Sequence, residues 1–145
     1  MSEKIPDVLI GTIVVVSKGN KILLGKRKNS YKAGFYGIPG GRVNEPEKLV
    51  DTAKRELFEE TGIKVDDLEY IGVIRDQHKG YTFTHFAFLC KNPSEEPKNL
   101  EPNKCEGWKW FHQDKIPDQT LLSHIAAIDL YVKPNTPRLR DISSN

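Results

Sequence analysis

Three glutamates, Glu56, Glu59 and Glu60, fall within five consecutive positions of a chain whose formal net charge is only +2. On an α-helix these side chains share an arc of roughly 100°. Like charges at this spacing repel each other, and anions near a helix C-terminus are further disfavoured by the helix dipole. A hard divalent cation such as Mg²⁺ or Mn²⁺ would turn the repulsion into attraction. The spacing therefore indicates a cation site, with a solvated acidic face as the alternative.

A helix from about Pro46 to Thr61 is the element that would position these glutamates. Proline suits the first helical turn, and Gly62 suits the position just past the helix end. Val50, Ala53 and Leu57 recur at the spacing of one helical face, which predicts that this face packs on a hydrophobic core. The glutamates would then lie beside the buried face rather than opposite it.

Gly40 and Gly41 precede this helix in a predicted loop, where a backbone without side chains can approach the helix or a ligand closely. Arg55 can pair with Glu47, two helical turns back, or with a carboxylate of the loop. From Gly41 to Ile63 the chain reads G-x5-E-x7-R-E-L-x-E-E-x-G-I, which fits every position of the Nudix box.

The sequence therefore resembles the Nudix (MutT-type) hydrolases, which cleave a diphosphate linkage joined to a group X. The resemblance covers nearly the whole chain. It implies an α/β fold, the Nudix α/β/α sandwich with a mixed β-sheet. It also implies Mg²⁺ as the cofactor, for which Mn²⁺ can substitute.

Carried onto this chain, the resemblance makes Glu56 and Glu60 the first metal ligands, Glu59 the next, and the Gly40 carbonyl a further ligand. Arg55 and Glu47 would form the ion pair that orients Glu56. The general base that activates water is left open. The candidates are Glu56 and Glu59 within the motif and Glu101 and Glu106 in the loop at 91–107.

The substrate would be held at two ends. Lys26 and Arg27 end a predicted strand just before the glycine loop, where their charge can meet phosphates. A base pocket should be apolar, with a few polar groups that fix orientation. The candidates for substrate contacts beyond the two cations are Phe35, Ile38, Gly41, His85, His124 and Ala126.

The run EPKNLEPNKCEGWKW, from Glu96 to Trp110, resembles one subgroup of the family. That subgroup contains nucleoside triphosphate diphosphatases, which act on dNTPs and modified purine NTPs such as 8-oxo-dGTP. They leave a nucleoside monophosphate and pyrophosphate. Dihydroneopterin triphosphate is an alternative substrate in the same subgroup.

Three other functions stay open. Tyr81 lies eighteen residues past Ile63, a spacing associated with dinucleoside polyphosphate hydrolases, although core packing explains a strand tyrosine equally well. A nucleotide-sensing Nudix module without catalysis is disfavoured, because such modules usually lose glutamates that are intact here. An RNA-end hydrolase would need a basic groove with aromatic stacking, which a nearly balanced charge does not favour.

The remaining elements follow from the hydrophobic pattern. Strands are expected at 8–16, 22–27, 35–39, 65–75, 81–89 and 107–111, and a second helix at 118–132. Trp108 and Trp110 would share one face of their strand. The 145 residues form one predicted domain, with 133–145 as a flexible tail.

The composition of the chain limits the cellular location and the partners that we expect. The first residues, MSEKIPDV, do not read as a signal peptide, no apolar run approaches the about 20 residues of a membrane span, and two cysteines suggest no disulfide scaffold. We therefore expect a cytoplasmic protein with a small-molecule nucleotide as its partner and with neither nucleic acid nor membrane partners. The resemblance adds a possible homodimer.

Overall fold

The computed structural model describes residues 7–144; predictions for residues 1–6 and 145 lie outside the described residues. The strands in chain order are β1 (Val8–Lys18), β2 (Lys21–Arg27), β3 (Tyr36–Gly37), β4 (Gly40–Arg42), β5 (Glu69–His78), β6 (Tyr81–Lys91), β7 (Cys105–His112) and β8 (Leu139–Ser143). The helices are α1 (Leu49–Thr61) and α2 (Leu122–Val132). Neither helix is long and apolar enough to cross a membrane.

The eight strands form one mixed sheet. Its main path runs β3-β2-β1-β6-β5-β8, while β4 pairs with β1 and β7 pairs with β2. The pairs β1–β6 and β5–β8 are parallel, and the other pairs are antiparallel. The predicted α/β fold with a mixed sheet is thus confirmed.

A helix covers each face of the sheet, because β1 alternates two sets of apolar side chains. Val14 and Val16 join Ala53 and Leu57 of α1 in one buried cluster. Ile13 and Val15 join the residues of α2 in the other. Trp108 and Trp110 both pack against the α1 cluster, so the prediction that they share one face of the strand is confirmed.

Several predicted boundaries are wrong by a few residues. α1 begins at Leu49 and not at Pro46. α2 begins at Leu122 and not at Asp118, because Gln119 and Leu121 instead exchange backbone hydrogen bonds with Tyr36. Tertiary pairing with β3 therefore overrides the helical pattern of this segment.

Gly40–Arg42 form β4 and not the predicted loop. Thr12 and Ile13 of β1 are opposite Gly41 and Gly40 in the antiparallel register. The backbone of β4 is therefore fixed by the sheet before any ligand binds.

The chain beyond Lys133 also differs from the predicted flexible tail. Leu139–Ser143 form β8, parallel to Val73–Gln77 of β5. Arg138 secures the approach to this strand, since its guanidinium donates to the carbonyls of Leu130 at 2.8 Å and Ile71 at 3.1 Å. The sequence pattern misses the strand because its alternation is short and its apolar residues are few.

Ile142→Ala tests whether β8 contributes to the fold. Ile142 packs against the α2 cluster, so we expect the free energy of unfolding to fall by about 1–2 kcal/mol. Leu139→Ala is the matched control, because Leu139 is 57% exposed and its loss should change stability by less than about 0.5 kcal/mol. Urea denaturation measures both; equal, negligible changes would mean that the segment frays.

Candidate active site

The last two turns of α1 press against the glycines of β4. A Cβ atom on Gly41 would lie 2.3 Å from the Glu56 carboxyl carbon, and one on Gly40 would lie 2.3 Å from the Thr12 carbonyl oxygen. The Gly40 N–H donates to Glu60 Oε2 at 3.0 Å. A side chain on Gly41 would therefore push the Glu56 carboxylate away, and one on Gly40 would collide with the backbone of β1, which explains the glycine pair.

Arg55 is the centre of an ion-pair network on the outer side of this contact. Its Nε–H donates to Glu47 Oε2 at 2.7 Å, so the predicted pair forms. The same guanidinium donates to Glu56 at 2.8 Å and to Glu59 at 3.2 Å. The hydrogen bond from Arg55 is the main cause that lowers the pKa of Glu47 to about 2, and Thr52 Oγ1–H adds to it. Arg55 thus fixes the positions of three carboxylates at once.

Glu60 lies deeper than the other glutamates. Burial raises its pKa to about 8, and the charges of Glu56 and Glu101 add to the rise, while the Gly40 N–H and Arg27 oppose it. Burial also raises the pKa of Glu56, against the effect of Arg55. Acidic side chains with this little solvation need a cation if they are to stay ionised together.

The predicted metal cluster is not fully assembled by these side-chain positions. Across residues 7–144, no three His, Cys, Asp or Glu side chains converge closely enough to hold an ion as they stand. The reason is that Glu56 and Glu59 both turn to Arg55. The donor set still fits a hard divalent cation, because Glu56 and Glu60 present oxygens beside a glycine backbone with no room for a side chain.

A cavity of about 600 Å³ opens on the other side of the glycines, between the sheet and the N-terminus of α2. Its wall contains eight of the residues that the sequence nominated as metal, phosphate or base contacts. They are Arg27, Phe35, Ile38, Gly40, Gly41, Glu60, His85 and His124. One cavity therefore joins a buried glutamate and an arginine to aromatic and apolar side chains.

Of the residues nominated outside the α1 motif, four lie outside this cavity. Lys26 and Glu101 line a smaller adjoining pocket of about 300 Å³, which Glu60 also lines. Ala126 packs in the α2 cluster of the core, so the prediction that it contacts substrate is not supported. Glu106 is exposed on β7 and lines neither pocket.

The sequence reasoning missed the polar residues at the end of β5. Asp76 and His78 line the cavity together with Ser144. Because the predicted strand stopped at Arg75, the alternation Ile74-Asp76-His78 on one face was not recognised as a polar extension of a buried face. Tyr81 also lines the cavity and stacks on His78 with a centroid distance of 4.6 Å, so it is not a simple core residue.

Two histidines form part of the cavity wall. His85 stacks on Phe83 with a centroid distance of 4.1 Å, and His124 Nδ1 accepts the Ile38 N–H at 2.8 Å. Burial lowers the pKa of His85 to about 4, with His78 as a smaller cause. Burial also lowers the pKa of His124 well below its usual value, and His85 and Arg27 add to this. Both side chains are therefore neutral at physiological pH.

The chain belongs to the Nudix family: the family's NUDIX domain model matches residues 8–131. Members of this family are hydrolases that act on small nucleotide substrates and generally use divalent metal cations. The predicted enzyme class, a Nudix pyrophosphohydrolase of the MutT type, is confirmed by this match and by the similar proteins.

Among the similar proteins is the "Oxidized purine nucleoside triphosphate hydrolase" of Danio rerio, 34% identical over 106 residues, or 73% of this chain and 67% of that protein. The "NAD-capped RNA hydrolase NudC" of Pseudomonas aeruginosa is 31% identical over 131 residues, but these cover only 45% of its length. The crystal structure of a MutT NUDIX hydrolase from Burkholderia pseudomallei superposes with a TM-score of 0.81 at 28% identity, covering 86% of this chain and 98% of that one.

The two buried histidines predict a loss of stability in acid. The folded state disfavours protonated His85, whereas the unfolded chain binds a proton near pH 6.5, so stability falls as the pH drops below 6.5 and levels off near 4. A shift of this size corresponds to about 3 kcal/mol.

His85→Asn tests this contribution, because the variant lacks the His85 imidazole while Glu60, whose pKa shift has no contribution from His85, is present in both proteins. The gap in unfolding free energy between wild type and variant should shrink as the pH falls from 7 to 4. A gap that stays constant over this range would show that His85 titrates normally.

Proposed function

We propose that this protein is a Mg²⁺-dependent diphosphatase of nucleoside triphosphates, including modified purine nucleotides, which releases pyrophosphate and a nucleoside monophosphate. The observation that carries the proposal is the single cavity that joins Glu60, Gly40 and Gly41 to aromatic and apolar walls. Its size suits a nucleotide-sized ligand. The name of the Danio rerio relative supports the same substrate class.

Glu56 and Glu60 would hold the metal, with Glu59 as the next ligand and the Gly40 carbonyl completing the protein's share. When bound, Mg²⁺, or Mn²⁺ in its place, neutralises phosphate oxygens and acidifies a water. Arg55 would position Glu56 for this role, since its hydrogen bonds to Glu47 and Glu56 restrict the Glu56 side chain.

Arg27 is the best-placed cation for the phosphates. It lines both pockets, and its Nε–H donates to the Tyr31 carbonyl at 2.8 Å, which fixes the guanidinium at the cavity wall. Lys26 lines only the smaller pocket and is assigned a weaker electrostatic part. The aromatic rings of Phe35 and of the stacked Phe83–His85 pair supply surfaces on which a base can pack.

The assay that tests the proposal is release of pyrophosphate. We expect turnover of dNTPs or oxidised purine dNTPs with Mg²⁺, none in EDTA, and a fall in kcat of about 10³-fold or more for Glu60→Gln, since a ligand is lost. The variant should remain folded, because burial already disfavours the charged form of Glu60. Asp51→Asn, an exposed position in the first turn of α1, is the matched control and should retain full activity.

The same assay should include dinucleoside polyphosphates, dihydroneopterin triphosphate and NAD-capped RNA. A higher kcat/KM for any of these than for every nucleoside triphosphate would overturn the substrate assignment. Binding of nucleotides without hydrolysis would instead indicate a sensing module. Homodimerisation stays a prediction.

Glu101→Gln and Glu106→Gln separate the two loop candidates for the general base. Glu101 lines the smaller pocket beside Glu60 and its charge acts on both Glu56 and Glu60. We expect Glu101→Gln to lower kcat by about 10²-fold and Glu106→Gln to change it less than twofold, measured at saturating Mg²⁺. If neither variant loses activity, the base lies within α1, at Glu59 or Glu56.

A further inference from the structure

Asp76 is a buried carboxylate on the cavity wall that the diphosphatase chemistry does not use. It is 2% exposed, and it belongs to the end of β5. Ser144 Oγ–H donates to its Oδ2 at 3.0 Å, and His78 Nε2 lies 3.1 Å from the same oxygen. Within residues 7–144, no group donates a hydrogen bond to Oδ1.

The two carboxylate oxygens thus differ, because Oδ2 has two partners and Oδ1 has no donor among the described residues. An oxygen left in this state destabilises the fold unless a ligand supplies the donor. A buried acceptor without a donor is less stable than a paired one, and the penalty is larger when the acceptor is charged. The partners on Oδ2 also fix the carboxylate in place, because Ser144 is tied to Gln77 by its own backbone N–H and His78 stacks on Tyr81. The result is one immobile acceptor oxygen without a donor in the described part of the chain, on a residue that lines the cavity.

The register places Asp76 away from the phosphate end. Gly41 is opposite Thr12 on β1, Thr12 is opposite Phe86 on β6, and Phe86 is opposite Val73 on β5. These three inter-strand steps span about 14 Å, and Asp76 lies three residues further along β5. A ligand that reaches from the glycines to Asp76 must therefore be extended, as a nucleoside triphosphate is.

The surroundings of Asp76 suit the edge of a flat heteroaromatic ring. Phe83 is its cross-strand neighbour and stacks on His85, and Tyr81 is opposite His78. Leu9 and Leu121 add apolar surface to the same cavity. The ring of a nucleobase packs on such walls, while a carboxylate oxygen accepts only from an N–H or O–H on the ring's edge.

We infer that Asp76 determines base specificity by accepting a hydrogen bond from the exocyclic amino group of a nucleobase. This deepens the proposed function and rests on it for the position of the base. Cytosine, adenine and guanine carry such an amine. Uracil, thymine and hypoxanthine present carbonyl oxygens or hydrogen at those positions, and a carbonyl oxygen facing Oδ1 leaves two acceptors in contact. A site built around a buried acceptor rejects the analogue that lacks the donor.

The test compares kcat/KM within pairs that differ by the amine: dCTP with dUTP, dATP with dITP, and dGTP with dITP. For wild type we expect the amino member of at least one pair to be favoured about tenfold or more. Asp76→Asn should abolish or reverse that preference, because Ser144 Oγ–H holds the amide oxygen and leaves the NH₂, a donor, in the place of Oδ1. Asp141→Asn, an exposed carboxylate on β8, is the matched control and should retain the wild-type ratio.

A second measurement does not depend on turnover. Calorimetry in EDTA gives the Kd of dCMP, dUMP, dAMP and dIMP, and the amino members should bind more tightly to wild type but not to Asp76→Asn. If wild type shows this preference but hydrolyses no triphosphate, the proposed function fails and the role of Asp76 stands. If triphosphates are hydrolysed and wild type shows no amino preference, the inference is overturned and the function stands. An amino preference that survives in Asp76→Asn also overturns it, and if that variant does not fold, the wild-type ratio decides.

Discussion

The contact between the glycine backbone of β4 and the end of α1 is the constraint on which the rest of the structure depends. Glu56 lies where a Gly41 side chain would be, and Glu60 accepts the Gly40 N–H. A helix can approach a strand this closely only where the strand has no Cβ atoms. The closeness also removes water from the carboxylates, and their raised pKa values follow from that loss. The absence of side chains on the two glycines therefore explains both the close approach of α1 and the raised pKa values of its carboxyl groups.

The two faces of the sheet carry different parts of the proposed site. Its α1 side carries the carboxylates and the Arg55 network, and its α2 side carries the cavity wall. β1 belongs to both, since its alternate residues pack against different helices. β4 pairs with β1. The two glycines of β4 contact the carboxylates of α1 and also line the cavity. In the proposed function, this rigid, doubly covered strand would be the spacer between the reacting phosphate and the group attached to it.

The sequence predicts the chemistry of this protein better than it predicts the ligand's surroundings. Glu47, Arg55, Glu56 and Glu60 lie on one helix or just before it, so helical spacing alone brings them together. The cavity instead combines residues from β1, β5, β6 and the start of α2, which only the long-range pairing can place. Asp76 was missed because the predicted strand stopped at Arg75, and Ala126, which the sequence nominated as a substrate contact, packs in the core cluster of α2 and lines neither pocket. The prediction of a flexible tail failed because β8 is stabilised by its pairing with β5 rather than by a pattern of its own.

The hydrogen bond from the Trp108 indole to the Glu60 carbonyl, at 3.1 Å, has a practical consequence. It places a natural fluorophore against the backbone of the residue whose carboxylate is at the centre of the proposed chemistry. Indole emission responds to nearby charge, and paramagnetic Mn²⁺ quenches it at short range. The indole emission of Trp108 would therefore report ion binding at the proposed metal site.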